Sequence, residues 1–288
     1  MIRLSLSYTR VIILILFFCI IHTGKGTGQV DENEPLTIDG FDGAENTEVL
    51  IAIDGVPEAE EAFFRANELY RDARYEEAIM VYEQIMESGY HSADLYFNLG
   101  NAYYRSNKIP RAILNFERAA LLSPGDDDIR FNLELSRMHV RDRIEELPEF
   151  FLNRWWNGLR DSLSVRAWAS LSIGSFIISL ILISVFLMSS SAGIKRLFFW
   201  LAVVVMFASV FSFSLGLDQR NYIRNHNSAI VFSPVVSVKS SPDINSTDLF
   251  VIHEGTKVWV EDSIGEWRAV RLSDGNMGWL RRDAIEMI

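Results

Sequence analysis

The chain of 288 residues has one cysteine, Cys19, and five scattered histidines. A single cysteine excludes an intramolecular disulfide and a cysteine-based zinc site, and the histidines share no metal-binding spacing. The sequence also lacks a P-loop and a Gly-x-Ser-x-Gly motif. We therefore expect no metal, no cofactor and no catalytic activity.

Basic residues are outnumbered by acidic ones, 27 to 38, which gives a formal net charge of −11. A nucleic-acid-binding protein normally presents a basic surface, so we expect no nucleic-acid partner. Residues 31–61 contain eleven Asp or Glu and no Lys or Arg. This composition predicts a solvated acidic linker, which we place at residues 27–57.

A first apolar run, residues 11–21, follows two arginines and precedes a Gly/Thr-rich stretch. Eleven residues are typical of a signal-peptide core and too few for the roughly 20 that span a bilayer. We assign residues 1–26 to a signal peptide. An uncleaved anchor is the alternative, and both interpretations export the residues that follow.

Two longer apolar runs, within residues 167–217, predict a transmembrane hairpin, because each can cross a ~30 Å hydrocarbon core. Their connecting loop carries Lys195 and Arg196. If the first run exports the chain, this loop faces the cytoplasm, as the positive-inside rule prefers, although arginines also lie at the other end of the hairpin. Residues 148–166 mix tryptophan with arginine, which is typical of an interfacial segment in contact with the lipid bilayer.

A 34-residue spacing appears within residues 58–147, where Gly100 aligns with Ala66 and Phe116 with Tyr82. Helical pairs at this period are the tetratricopeptide signature. Small residues let paired helices approach, and aromatic side chains fill the remaining space. We expect packing roles for Ala66, Ala78, Gly100, Ala112, Phe116 and Ala119. A third unit near Asp127 offers one convincing helix, giving about two and a half repeats.

Tetratricopeptide stacks usually bind ligands on the concave face, which the first helix of each pair lines. Asn and Arg recur there and can hold a peptide backbone and a carboxylate. The alternative is an ordinary solvated face. We call the set the predicted groove: Phe63, Asn67, Tyr70, Arg71, Phe97, Asn98, Asn101, Tyr104, Arg105 and Asn132.

Short β-branched runs separated by turn residues predict an all-β domain at residues 226–288. Its closing turn, Asp274-Gly275, followed by Gly278-Trp279-Leu280, resembles the bacterial SH3-like barrel. The pattern favours Trp267 and Trp279 as core residues. In the alternative, surface aromatics hold cell-wall peptides, as in some members of that family.

The fold class is thus multidomain: an all-α tetratricopeptide solenoid, a two-helix transmembrane hairpin and an all-β SH3-like barrel. This order, with the phrase RFNLELSRMHVRDRIEE, resembles the BatE-type proteins of bacterial aerotolerance operons. The resemblance implies membrane-anchored von Willebrand factor A-domain partners, indirectly a MoxR-type ATPase, and a role in envelope integrity or stress tolerance.

Our leading hypothesis is a membrane-anchored protein–protein interaction scaffold in the bacterial inner membrane, with both soluble domains facing the periplasm. The alternative is a sensor that binds peptidoglycan through the SH3-like domain.

Overall fold

The computed structural model describes residues 55–145, 147–148 and 150–288. The predicted signal peptide and nearly all of the predicted acidic linker lie outside the described residues. Five helices form the repeat domain: α1 (Val56–Arg71), α2 (Tyr75–Glu87), α3 (Ala93–Arg105), α4 (Ile109–Leu122) and α5 (Asp127–Arg137). They make two helical pairs and a final unpaired helix. Helix α1 starts two residues before the predicted start of the repeats.

Local sequence explains where these helices begin and turn. Ser92 caps α3, its hydroxyl accepting a hydrogen bond from the Leu95 N–H at 3.1 Å, and such capping satisfies an otherwise orphaned donor. The turn inside each pair uses a residue with positive φ, Ala73 at 60° and Asn107 at 57°. These two positions are equivalent in the repeat, so both pairs turn through the same strained backbone conformation.

Helices α3 and α4 are in close contact at Gly100, in the core of the repeat domain. A Cβ atom built there would lie 2.7 Å from Cε1 of Phe116, whose ring is 1% exposed. The alanines proposed for packing, Ala66, Ala78, Ala112 and Ala119, are fully buried. Glycine at this position therefore permits the close approach of α3 and α4.

Three further helices follow: α6 (Phe151–Arg160), α7 (Val165–Met188) and α8 (Ala192–Arg224). Helices α7 and α8 are long and apolar enough to cross a membrane, and most of their surface is exposed. They pair through serines: the Ser172 hydroxyl donates to the Ser209 carbonyl at 3.0 Å, and the Ser209 hydroxyl donates to the Ser172 carbonyl at 2.8 Å. Small hydroxyl residues allow such close contact in an apolar environment. Helix α8 continues seven residues past the predicted end of the hairpin.

The remaining chain forms the β domain, residues 228–288, a single antiparallel sheet of order β3-β2-β6-β5-β4-β1-β7. The strands are β1 (Ser228–Val231), β2 (Val235–Lys239), β3 (Asp248–His253), β4 (Lys257–Ile264), β5 (Trp267–Arg271), β6 (Met277–Arg281) and β7 (Ile285–Met287). The all-β prediction is confirmed, and the shape is compatible with an SH3-like domain. The predicted closed barrel is corrected, because β3 and β7 are the two edges of the sheet.

Candidate functional site

All ten residues of the predicted groove lie on the first helices of the repeats, four on α1, five on α3 and one on α5. None of them is buried: Arg71 and Arg105 are exposed and the other eight are half-buried. The first-helix face is therefore accessible and carries aromatic, amide and guanidinium groups together. Such a mixture can bind an extended polypeptide, since it offers apolar area beside donors and acceptors.

Two asparagines of this face already have partners within the repeat domain. The buried Tyr82 hydroxyl donates to Oδ1 of Asn67 at 2.6 Å, and Nδ2 of Asn98 donates to the same oxygen at 3.0 Å. Burial raises the pKa of Tyr82, so the phenol stays protonated and needs an acceptor. Asn67 and Asn98 thus join α1, α2 and α3, so these two asparagines have a structural role in the repeat domain.

Arg105 is held above an aromatic ring instead of projecting freely. Its Nη2 donates to the Tyr75 hydroxyl at 3.0 Å, and its guanidinium carbon lies 5.3 Å from the Tyr75 ring centroid. By contrast, the side-chain amides of Asn101 and Asn132 make no hydrogen bond to any residue that the structure describes. The amides open to a ligand are therefore Asn101 and Asn132, with Arg105 oriented beside the first of them.

On the opposite, second-helix side of the repeat domain, the β domain packs against α4. Strand β1 packs on α4, and Ile230 belongs to the core of the repeat domain. The Glu117 carboxylate is 5% exposed and accepts hydrogen bonds from Lys257 Nζ at 2.7 Å and Arg137 Nη2 at 2.5 Å. Burial raises the pKa of Glu117, but the two cations outweigh it and leave that pKa below its usual value.

A second polar contact fastens the same two domains. The Asp142 carboxylate accepts hydrogen bonds from the His253 backbone N–H at 2.6 Å, the His253 ring Nδ1 at 2.7 Å and the Thr256 hydroxyl at 2.7 Å. Burial raises the pKa of Asp142, but these donors together lower it by more than burial raises it, so the pKa of Asp142 lies below its usual value. We call the contacts of Glu117 and Asp142 the interdomain clasp. Sequence reasoning missed the clasp, because its contacts between the two domains join residues 111 to 140 positions apart.

The tryptophans of the β domain do not fill its core. Trp259, Trp267 and Trp279 are half-buried, whereas the alternating residues Val258 and Leu280 are buried. The prediction of Trp267 and Trp279 as core residues is therefore wrong. Successive strand residues point to opposite faces, so the valines and leucines take the inner face and the indoles lie on the outer one.

The family comparison bears on the second helical pair. Residues 93–126 match the tetratricopeptide repeat model. This segment is similar to a tetratricopeptide repeat. It comprises α3, α4 and the turn before α5, and therefore holds five of the ten groove residues. A comparison of the chain with curated proteins finds no match. Repeats of this kind are typically non-catalytic modules that bind other proteins, so the matched segment supports a role in protein–protein interaction.

Proposed function

We propose that this protein is a membrane-anchored scaffold that binds a partner protein through the first-helix, concave face of its tetratricopeptide repeats. The observation that carries the proposal is an asymmetry between the two sides of the repeat domain. On the second-helix side, α4 is in contact with the β domain through β1 and through the Glu117 contact of the interdomain clasp. The first-helix side remains accessible and presents Asn101, Asn132 and Arg105.

The packing of the domains also supports a two-span anchor. Helix α4 precedes the hairpin and strand β1 follows it, yet the two are in contact. Both must therefore lie on the same side of a membrane, which requires an even number of crossings between them. Helices α7 and α8 supply two. If residues 1–26 export the chain, the repeat and β domains face the periplasm and the Lys195 loop faces the cytoplasm.

The resemblance to BatE-type proteins supplies the class of partner. It implies membrane-anchored von Willebrand factor A-domain proteins of the bacterial envelope, an indirect link to a MoxR-type ATPase, and a role in stress tolerance. A partner anchored in the same membrane suits the groove, because both proteins are then confined to one surface at high effective concentration.

The groove is tested by the double substitution Asn101→Ala and Arg105→Ala in the full-length protein. Loss of hydrogen bonds to charged groups costs about 1.5–3 kcal/mol each, so we expect co-purification of the envelope partners to fall at least tenfold. The matched control is Asn245→Ala with Arg282→Ala, which removes the same residue types from exposed positions of the β domain.

Circular dichroism should show the same helicity for both variants. Wild-type partner capture by a folded groove variant would remove the first-helix face from the mechanism and leave the hairpin or the β domain to hold the partner.

A second candidate function, peptidoglycan binding by the β domain, is favoured by the outward position of its tryptophans. Trp259 lies between two cations, with Lys257 Nζ 5.7 Å and the Arg271 guanidinium carbon 5.6 Å from its ring centroid. Aromatic faces of this kind can stack on sugars or peptides. Under this hypothesis Trp279→Ala lowers retention on purified peptidoglycan, while the groove variant does not. If Trp279→Ala and wild type bind peptidoglycan equally, the tryptophan face is not a wall-binding site.

A further inference from the structure

Helix α6 is fixed beside the end of the hairpin that adjoins the soluble domains. The Trp156 indole N–H donates to the Asp218 carboxylate of α8 at 3.1 Å, and the Trp168 indole N–H of α7 donates to the Arg160 carbonyl at 3.0 Å. The Arg160 guanidinium carbon lies 4.1 Å from the Tyr222 ring centroid. Contacts to both long helices therefore hold α6 at a defined level along them.

The face of α6 turned away from these contacts is apolar and uncovered. Phe150, which precedes α6, and Phe151, Leu152 and Trp155 within it are between 52% and 68% exposed, although α6 is otherwise well anchored. Trp156 of the same helix lies against Phe211 of α8, with ring centroids 6.4 Å apart, and the proposed function places the exposed apolar surface of α7 and α8 in lipid. An aromatic face at that level is typical of the boundary between acyl chains and headgroups.

Four arginines lie at the same end of the hairpin: Arg154, Arg166, Arg220 and Arg224. All four are exposed, and none forms an ion pair with a residue in the described part of the chain. The nearby carboxylates are already engaged, since Asp161 accepts both Arg160 hydrogen bonds at 2.7 and 2.9 Å and Asp218 accepts that of Trp156. Among the described residues, these four arginines have no ion-pair partner, so this end of an otherwise acidic protein carries unpaired positive charge.

We propose that these eight residues form a collar that binds anionic phospholipid headgroups in the leaflet next to the soluble domains. The guanidinium groups pair with lipid phosphates in bidentate fashion, and the aromatic side chains enter the headgroup region beneath them. Anionic headgroups are the occupant that satisfies both halves of the collar, because they carry the opposite charge and are continuous with the lipid around the hairpin. The proposal rests on the proposed function only in requiring that α7 and α8 span a bilayer.

The test uses the full-length protein in vesicles of phosphatidylcholine with a minor fraction of phosphatidylglycerol. The protein is extracted with its surrounding lipid in polymer nanodiscs, and the co-extracted lipids are quantified by mass spectrometry. Attraction to an anionic surface is worth roughly fivefold per arginine before screening by salt. We expect wild-type discs to be enriched in phosphatidylglycerol several-fold over the bulk vesicle, and the enrichment to weaken at high salt.

The variant carries Arg154→Gln, Arg166→Gln, Arg220→Gln and Arg224→Gln, and its discs should match the bulk composition. The matched control carries Arg130→Gln, Arg141→Gln, Arg143→Gln and Arg282→Gln, four exposed arginines outside the collar, and should keep the enrichment. If the quadruple variant fails to insert into vesicles, the single variants Arg166→Gln and Arg220→Gln are measured in the same way. Each should lower the enrichment in phosphatidylglycerol.

Bulk composition in wild-type discs, or enrichment that survives the collar substitutions, overturns the collar. Release of the wild-type protein from vesicles by alkaline carbonate is a different result, because it overturns the spanning hairpin of the proposed function and the collar with it.

Discussion

Replacing Lys257 by Met should loosen the β domain from the repeat domain. The substitution leaves the buried Glu117 carboxylate with one cationic partner, Arg137, whose side chain is 42% exposed. Removing a partner from a buried ion pair typically costs 3–5 kcal/mol. Because Arg137 still neutralises part of the charge, we expect a smaller cost of about 2–3 kcal/mol, at or below the lower end of that range.

The measurement is hydrogen–deuterium exchange of β1 amides in the full-length protein in nanodiscs. Where exchange follows domain opening, a loss of about 2–3 kcal/mol speeds it roughly 30- to 160-fold. The double variant Glu117→Gln with Lys257→Met supplies the control. Replacing both partners leaves no unpaired buried charge, since Arg137 is 42% exposed, and should recover much of the lost protection. Unchanged exchange in Lys257→Met, or a double variant worse than the single one, would refute the view that Glu117 is a buried charge held by Lys257.

Three further predictions follow from the same packing. Since the folded-state pKa of Asp142 is depressed, its contribution to the contact between the β domain and the repeat domain is present above about pH 4 and is lost as pH falls through the lowered pKa. Asp142→Asn should therefore weaken this contact at neutral pH by about 2 kcal/mol. The same substitution should make the exchange of β1 amides less dependent on acid pH. Gly100→Leu gains up to about 1 kcal/mol of helix propensity but overpacks Phe116, which costs about 1–3 kcal/mol or more, so the melting temperature of the full chain should fall, and an unchanged value would contradict the observed contact. Ala73→Asn, which copies Asn107 at a left-handed position, should raise that temperature by relieving part of a strain of about 1 kcal/mol; a fall would mean that the turn is not strained.

The repeat architecture could be predicted from the sequence, because tetratricopeptide packing depends on side-chain size at fixed spacing. Gly100 and Phe116 are such positions, and both lie where the period places them. The hydrogen bond between Asn67 and Asn98 could not be predicted in this way, since it joins neighbouring first helices at a separation of 31 residues, which differs from the repeat period.

The error about the core of the β domain has a local cause. Alternation along a strand separates two faces but does not say which one is the core, and large aromatics at Trp267 and Trp279 favoured the wrong one. In the hairpin, the charges from Asp218 onward end the apolar run but not the helix, so hydropathy does not predict that α8 continues to Arg224. The pairing of Glu117 with Lys257 leaves no local trace, because an isolated glutamate in a helix is ordinarily solvated.

The separation of Glu117 and Lys257 fixes the order in which the two are made during translation. They are 140 residues apart, and both predicted membrane helices lie between them. At roughly 5–20 residues per second, Glu117 is synthesised about 7–30 seconds before Lys257. During this interval Glu117 has no Lys257, and the side of α4 that later receives Ile230 has no β domain to shield it. The nascent repeat domain must therefore persist with an unfinished surface until the hairpin has been inserted, and an interruption of translation after α8 would release a chain that displays this surface permanently.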